Sequence, residues 1–441
     1  MNMRAELSGY RGNVLKFLMK ATLQVGDIIH ITRNDEVFEG ILMPRYELAD
    51  DNHIVLKLKN GYNIGIKIHH EMVVKKVGAG TKPTYKLSNK AKEKRVLPTV
   101  TIISTGGTIA SRVDYRTGAV HPALTSDDIL TVVPELSDIA NIKTKILFSL
   151  LSENVHSSHW TKLAQTVAQH ILMGVDGVVI CHGTDTMAYT SAALSFALQN
   201  LPVPVILVGS QRSSDRPSSD AALNLINAIK AAARTPIAEV MVCMHETTSD
   251  TITVLHRGTR VRKCHTSRRD AFKSVNIRPL AKIKGEEITL LEDYTRRDPN
   301  KHLITNPNFE RKVGLLKFYP GLDPNMINWY TDNGYFGLVL EGTGLGHVGE
   351  HLFPQIRNAV EKGLLLGMTS QCIWGRVNMN VYDTGIDLQR MGVIPLKDML
   401  PETALVKMMW VFSQTTDLEE AKKLLMLNIA GEFSERTPYE K

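Results

Sequence analysis

The sequence predicts an α/β protein, a two-domain α/β core preceded by a small N-terminal β-barrel. Three observations carry this reading. From Val100 onward, short β-branched apolar runs alternate with stretches of helical length, the pattern of a largely parallel sheet covered by helices. After "DPNKHLITNPNFERK" the same alternation starts a second time. Before Val100, residues 25–77 hold only short apolar runs, broken by turn chemistry at Asn34-Asp35, Asp50-Asp51-Asn52 and Asn60-Gly61. The expected units are therefore a small β-barrel over 1–80, a basic linker over 81–98, a large domain over 99–300 and a smaller C-terminal α/β domain over 301–441.

Each element has its own justification. Residues 25–77 divide into roughly five strands, which in so short a segment suggests a compact barrel. The stretch "GAGTKPTYKLSNKAKEKRVLP" mixes Gly and Pro with six Lys or Arg between Lys82 and Arg95, which is linker chemistry. In the large domain the strand candidates are "TVTIIS", "KTKILFSL", "DGVVICH", "VPVILVGS" and "EVMVCMH". The helices between them are "WTKLAQTVAQHILM", "MAYTSAALSFALQ" and "DAALNLINAIKAAA". The second unit runs "VGLLKFYPG", "YFGLVLEGTG", "HLFPQIRNAVEKG" and "LLLGMTSQC", with the last long helix near "TALVKMMWVFSQ".

The bulk numbers exclude several classes. Hydrophobic residues make up 43% and charged residues 22%, ordinary for a soluble globular chain. No apolar run is long enough to span a bilayer, and the N-terminus lacks the apolar core of a signal peptide, so a cytoplasmic location without membrane contact is expected. None of the four cysteines lies in a C-x-x-C pair, so neither a metal site nor redox chemistry is expected. The net charge of +7 is uneven: residues 1–98 contain 17 Lys and Arg against 10 Asp and Glu, and the remainder carries 35 of each. That asymmetry fits either an acidic partner, nucleic acid included, or a solvated basic linker.

Two stretches sit where an open α/β sheet makes its site, just past the carboxyl ends of strands. "TGGTIA" follows "TVTIIS", and "HGTDT" (His182–Thr186) follows "DGVVIC". A threonine hydroxyl needs a base beside it to act as a nucleophile. A lysine amine is one such base, and an aspartate can orient it in the way the third member of a triad does. Glycines let backbone N–H groups approach a carbonyl oxygen closely. Lys263, in "RVRKCHTS", and Ser152-Glu153, in "LSEN" after the strand "KTKILFSL", complete a set suited to amide hydrolysis through a threonyl ester. Each piece also has a bland alternative. Thr184 and Asp185 could cap the next helix, Lys263 stands among five arginines from Arg257 to Arg269, and Ser152-Glu153 could be an ordinary polar turn.

The paired "TGGTIA" and "HGTDT" resemble the two signatures of the bacterial-type L-asparaginase family, in order and in separation, over residues 99 to roughly 430. The resemblance implies an L-asparaginase-like two-domain α/β core with Thr108 as nucleophile. It implies Tyr115, in "YRTG", as a loop tyrosine that closes over the site, and Thr184, Asp185 and Lys263 as the second threonine and its relay. Gly107, Gly183, Ser152 and Glu153 fall at substrate-binding positions, the last two on the α-carboxylate and α-ammonium group. Simple members carry glutamine beside that serine, and Glu153 departs from this.

A simple asparaginase needs no residues 1–98. The N-terminal barrel, "YRTGAV" and "SQCIWGRVNMNVYDTG" resemble one branch of the family, the archaeal-type glutamyl-tRNA(Gln) amidotransferase D subunits. That resemblance implies a glutaminase that passes ammonia to a partner, the amidotransferase E subunit, which converts Glu-tRNA(Gln) to Gln-tRNA(Gln). No G-x-x-x-x-G-K-[ST] loop occurs, so no cofactor is expected in this chain, and ATP and Mg2+ are expected in the partner. A homodimeric core within a heteromeric complex, expected to be a heterotetramer, and tRNA(Gln) held through that complex, follow from the same resemblance. The alternatives are a free-standing L-asparaginase or glutaminase with an accessory domain, and an RNA-binding protein on an inactive asparaginase fold.

Overall fold

The computed structural model describes residues 7, 9–33, 36–45, 50–58, 63–69, 71–78, 97–106, 111–113, 120–122, 134–212 and 219–436. Two of the expected turns, Asn34-Asp35 and Asn60-Gly61, and the linker from Lys82 to Arg95 lie outside them.

The N-terminal unit contains one helix beyond those the sequence predicts, α1 (Gly12–Lys20). Its Val14 and Leu18, four residues apart and so on one helical face, are both buried. Five strands follow: β1 (Ile28–Arg33), β2 (Glu36–Leu42), β3 (His53–Lys57), β4 (Asn63–Lys67) and β5 (Val73–Gly78). They pair antiparallel in the order β4-β3-β2-β1-β5. The sheet folds around a core of its own, with Ile29, Ile31, Leu42, Ile54, Leu56 and Ile66 packed against α1. At Asp50-Asp51-Asn52 the Asp50 carboxylate accepts the Asn52 N–H at 2.8 Å, the side-chain turn expected of that sequence.

In the large domain the elements run β6 (Thr99–Ser104), β7 (Ser111–Val113), β8 (Val120–Pro122), β9 (Asn141–Ile146), α2 (Ser157–Leu172), β10 (Gly177–Cys181), α3 (Met187–Ala197), β11 (Leu198–Gln199), β12 (Val205–Val208), α4 (Ala221–Arg234) and β13 (Val240–His245). Antiparallel pieces follow: β14 (Thr253–Arg257), β15 (Val261–Lys263), β16 (Phe272–Ser274), β17 (Ala281–Lys284) and β18 (Glu287–Leu290). The main sheet has eight strands in the order β18-β17-β14-β13-β12-β10-β6-β9. Strands β13, β12, β10, β6 and β9 are parallel, as the alternation predicts. The sheet is nevertheless mixed, because β14, β17 and β18 extend it as an antiparallel edge. No helix separates these strands in sequence: β17 and β18 form a hairpin, and β14 reaches β17 through the separate β15–β16 pair.

Strand β19 (Ile304–Thr305) pairs antiparallel with β11 of the large domain, and the small domain then holds β20 (Val313–Lys317), α5 (Asn325–Asp332), β21 (Gly337–Gly342), α6 (Phe353–Glu361), β22 (Leu365–Ser370), α7 (Asp383–Arg390), β23 (Ile394–Pro395), α8 (Pro401–Gln414) and α9 (Leu418–Met426). Its four-stranded sheet, β20-β21-β22-β23, is entirely parallel. The helix expected to be the last long one is α8, and α9 follows it, capped by the Asp417 carboxylate on the Glu420 N–H. One hydrophobic core joins the two domains: Trp160 and Phe196 of the large domain pack with Val339, Leu365, Val406 and Phe412 of the small one. Helix α3 lies at this junction, with ten of its eleven residues buried, which explains its lack of a polar face.

Candidate active site

Strands β6 and β10 are parallel neighbours with Ser104 opposite Cys181, so the two glycine-threonine motifs leave the sheet side by side. Thr105 stitches them together, donating both its N–H and its Oγ1–H to the Cys181 carbonyl, at 3.0 and 2.9 Å. The segment after β9 crosses the same edge. Leu147 N–H and Phe148 N–H donate to the Ser104 carbonyl, and Leu150 N–H donates to the Thr105 carbonyl.

This crossing explains the glycines. Gly106 has φ +119°, and a Cβ there would lie 2.1 Å from the Leu150 carbonyl oxygen. A Cβ on Gly183 would lie 2.8 Å from Ser152 Cβ and 2.9 Å from its Oγ. One glycine in each motif is thus required for residues 147–154 to close against both strand ends. This is a packing demand, distinct from the supply of backbone donors that the motif chemistry suggests.

The relay residues meet at the same edge. Lys263, last residue of β15, donates from Nζ to Thr184 Oγ1 at 2.8 Å and to Asp185 Oδ1 at 2.8 Å. The lysine side chain is 13% exposed and Asp185 69% exposed, so the ammonium is held from one side and Asp185 opens to solvent. Lys263 is therefore no free surface cation. Nor do Thr184 and Asp185 cap α3: the cap position is Thr186, whose Oγ1 instead donates to the Ser152 carbonyl at 2.7 Å. Ser152 is buried and Glu153 exposed, on a single turn of 3-10 helix over Ser152–Asn154. The structure thus brings Gly183, Thr184, Asp185, Lys263 and Ser152 together, with Glu153 next in chain. Gly107, Thr108 and Tyr115 lie outside the described residues. Strands β7 and β8, paired antiparallel, bracket the segment that contains Tyr115.

The second motif opens with His182, to which the sequence alone assigns no role. The ring is buried, its Nδ1 2.7 Å from the Gly183 carbonyl and its Nε2 3.0 Å from Thr190 Oγ1. Trp160 Nε1–H donates to the same hydroxyl at 3.1 Å. The chain of bonds closes in one sense only: indole N–H to Thr190, Thr190 O–H to Nε2, Nδ1–H to the Gly183 carbonyl. The imidazole is neutral in this arrangement, and burial pushes its pKa down to about 4. It fixes the carbonyl one residue before Thr184. The only sequence signal is a histidine at the exit of a wholly apolar strand.

The chemistry the described part supports is proton handling: an amine in simultaneous contact with a hydroxyl and a carboxylate, beside a buried serine on a glycine-backed turn.

Comparison with known proteins places this geometry. The family model "Asparaginase, N-terminal" matches residues 99–296, "Glutaminase/Asparaginase C-terminal domain" matches 312–425, and "GatD N-terminal domain" matches 23–77. The chain is 50% identical over 434 residues to the glutamyl-tRNA(Gln) amidotransferase D subunit of Metallosphaera sedula, covering 98% of this chain and 97% of the relative. It is 52% identical over 429 residues to that of Methanothermobacter thermautotrophicus, covering 97% and 98%. The chain belongs to the glutamyl-tRNA(Gln) amidotransferase D-subunit family. The fold of this D-subunit family member is that of the L-asparaginases. The thermostable L-asparaginase from Thermococcus kodakarensis superposes with a TM-score of 0.68 at 34% identity, covering 77% of this chain and 100% of that one. L-asparaginase I from Vibrio cholerae gives 0.68 at 32%, covering 77% and 99%. The D-subunit chain is thus an asparaginase fold with an added N-terminal domain, as the sequence implies.

Proposed function

We propose that this chain is the glutaminase of a tRNA-dependent amidotransferase. It hydrolyses glutamine and supplies ammonia to the amidotransferase E subunit, which converts Glu-tRNA(Gln) to Gln-tRNA(Gln) with ATP and Mg2+. The observation that carries the hydrolytic half is the contact of Lys263 Nζ with both Thr184 and Asp185 at the exit of β10. Full-length similarity to D subunits, N-terminal domain included, supports the tRNA-dependent half.

In this reading Ser152 and Glu153 hold the α-carboxylate and α-ammonium of glutamine. Thr108 Oγ attacks the side-chain amide carbon while Tyr115 closes over it. The hydroxyl proton goes to the leaving nitrogen, which departs as ammonia and leaves a threonyl ester on Thr108. Water then cleaves the ester: Lys263, as the neutral amine oriented by Asp185, takes up the water proton through Thr184, and a proton returned to Thr108 Oγ frees glutamate and restores the hydroxyl. The chain itself uses no cofactor. Its proposed assembly is a homodimeric core bound to the E subunit, with tRNA(Gln) held through the complex, in the cytoplasm. Among the described residues no helix is long and apolar enough to cross a membrane.

The test is glutamine hydrolysis by the chain alone, with the E subunit, and with the E subunit plus Glu-tRNA(Gln). Activation of about tenfold on addition corresponds to roughly 1.4 kcal/mol of coupling, within the usual range. Brisk asparagine turnover by the chain alone, unmoved by either addition, would make it a free-standing asparaginase.

A further inference from the structure

Lys263 is presented by a short strand that the small domain grips. Strand β14 ends at Arg257, and the turn Gly258–Arg260 leads directly into β15 and Lys263. Every residue of that turn is tied down by a residue from another part of the fold. Ser191 Oγ of α3 donates to the Gly258 carbonyl at 2.7 Å. Thr259 donates from Oγ1 to the Ala430 carbonyl at 2.9 Å, and its own carbonyl accepts from Thr403 Oγ1 of α8 at 2.9 Å.

Arg260 is the centre of the grip. It is completely buried, among the largest side chains in the protein to be so. Its guanidinium donates to Asp398 Oδ2 at 2.8 Å, to the Glu432 carbonyl at 2.9 Å and to Ser434 Oγ at 3.2 Å. Asp398 is buried as well, and its second oxygen accepts the Ser434 N–H at 2.8 Å. Glu432 in turn pairs with Lys407 of α8, both side chains fully buried, and accepts the N–H groups of Ile429 and Ala430. The buried Lys407–Glu432 pair therefore holds the tail at residues 429–434 against α8, and hydrogen bonds from the buried Arg260–Asp398 pair hold it against Arg260.

Strand alternation converts this grip into aim. Successive side chains along β15 point to opposite faces. Arg260 and Arg262 face the small domain, Arg262 reaching Glu402 of α8 at 3.5 Å. Val261 packs in the large-domain core, and Lys263, on the same side as Val261, meets Thr184 and Asp185. Fixing one face fixes the other. Along a strand the ion pair stands about 10 Å from Lys263, too far to touch the reacting atoms.

We propose that the buried Arg260–Asp398 pair is a positioning device for Lys263, through which docking of the small domain sets the lysine against Thr184 and Asp185. The proposal rests on the glutaminase reading above and adds Arg260 and Asp398 as positioning residues. Substrate grip is left out of this linkage, because Ser152 and Glu153 belong to the segment after β9 and the hydrogen bonds of Arg260 go to Asp398, Glu432 and Ser434 instead.

The experiment uses the full chain in complex with the E subunit. Arg260→Met alone leaves a buried carboxylate unpaired and risks the fold, so the main variant is Arg260→Met/Asp398→Leu, which replaces the pair by apolar groups of similar size. Asp398→Asn is made beside it, keeping shape and one acceptor. Thr108→Val and Lys263→Met are measured in parallel. The expected result is a folded double variant whose kcat for glutamine falls at least about tenfold, since a misplacement near 1 Å costs on the order of a hundredfold. KM should stay within about twofold, and the limb of the kcat–pH profile that Lys263→Met abolishes should move. Asp398→Asn should show the same direction with a smaller loss.

A folded double variant with wild-type kcat and an unmoved pH limb would overturn the proposal. So would activity lost only in proportion to the unfolded fraction. If the double variant does not fold, Asp398→Asn decides by the same criteria. Retained activity in Thr108→Val would instead overturn the glutaminase reading, whatever Arg260 does.

Discussion

Replacing Gly183 by alanine tests whether the two strand-end motifs and the Ser152 turn form one site. The added Cβ would sit 2.8 Å from Ser152 Cβ and 2.9 Å from Oγ. Carbon atoms rest at about 3.5–4.0 Å, so one side must retreat by roughly 1 Å. Ser152 is tied by its carbonyl to Thr186 Oγ1 at 2.7 Å, and Gly183 by its carbonyl to buried His182. Neither side gives freely, and whichever moves, Ser152 and Thr184 separate by a large part of that ångström. A displacement of this size costs on the order of a hundredfold in catalysis. The overpacking itself costs about 1–3 kcal/mol of stability, which lowers the melting temperature by some degrees without unfolding the chain. The assay is ammonia release from glutamine by the complex with the E subunit, well below the melting temperature, with kcat and KM resolved. A Gly183→Ala enzyme with wild-type kcat/KM would refute the reasoning, because the close approach would then carry no functional geometry.

Lys263→Met and Asp185→Asn should each reduce glutamine turnover, and the double variant should lose far less than the product of the single losses, because the two act on one proton path. Multiplicative losses in steady-state kinetics would separate them. Glu153→Gln should chiefly raise KM for glutamine, as expected of an exposed carboxylate that binds the α-ammonium group, and a collapsed kcat at unchanged KM would assign it to chemistry instead. His182 makes stability pH-dependent. Its folded pKa of about 4 lies below the ordinary value near 6.5, so between these pH values only the unfolded chain takes up the proton. The stability is whole above about pH 6.5 and is lost as pH falls towards 4, by about 2–3 kcal/mol. Denaturant unfolding at pH 7.5 and 4.5 should therefore show a larger loss for the wild type than for His182→Gln, and equal losses would disprove it.

What the sequence determined by itself is local. The β-branched run "TVTIIS" and the wholly apolar "GVVIC" read as buried parallel strands because only a sheet covered on both faces tolerates such texture, and β6 and β10 are those strands. The motifs after them marked the site because side chains at strand ends are the ones a parallel sheet leaves facing a ligand. Local patterning did not reveal α1, whose nine residues are short for periodicity to register. It was also silent on the antiparallel edge β14-β17-β18, where the strands follow one another with no helical punctuation. Tertiary structure alone decided three further things. Gly183 faces Ser152 across 31 positions of chain, a contact no spacing encodes. His182 is neutral because the fold buries it in a dry interior, and Thr190 and the Gly183 carbonyl fix its tautomer. Arg260 reads in the sequence as one more cation in a basic run, yet it is buried against Asp398 because the small domain docks there. A pattern of residue types reports what each segment can bury or expose, whereas which partner fills a buried face depends on segments far apart in the chain.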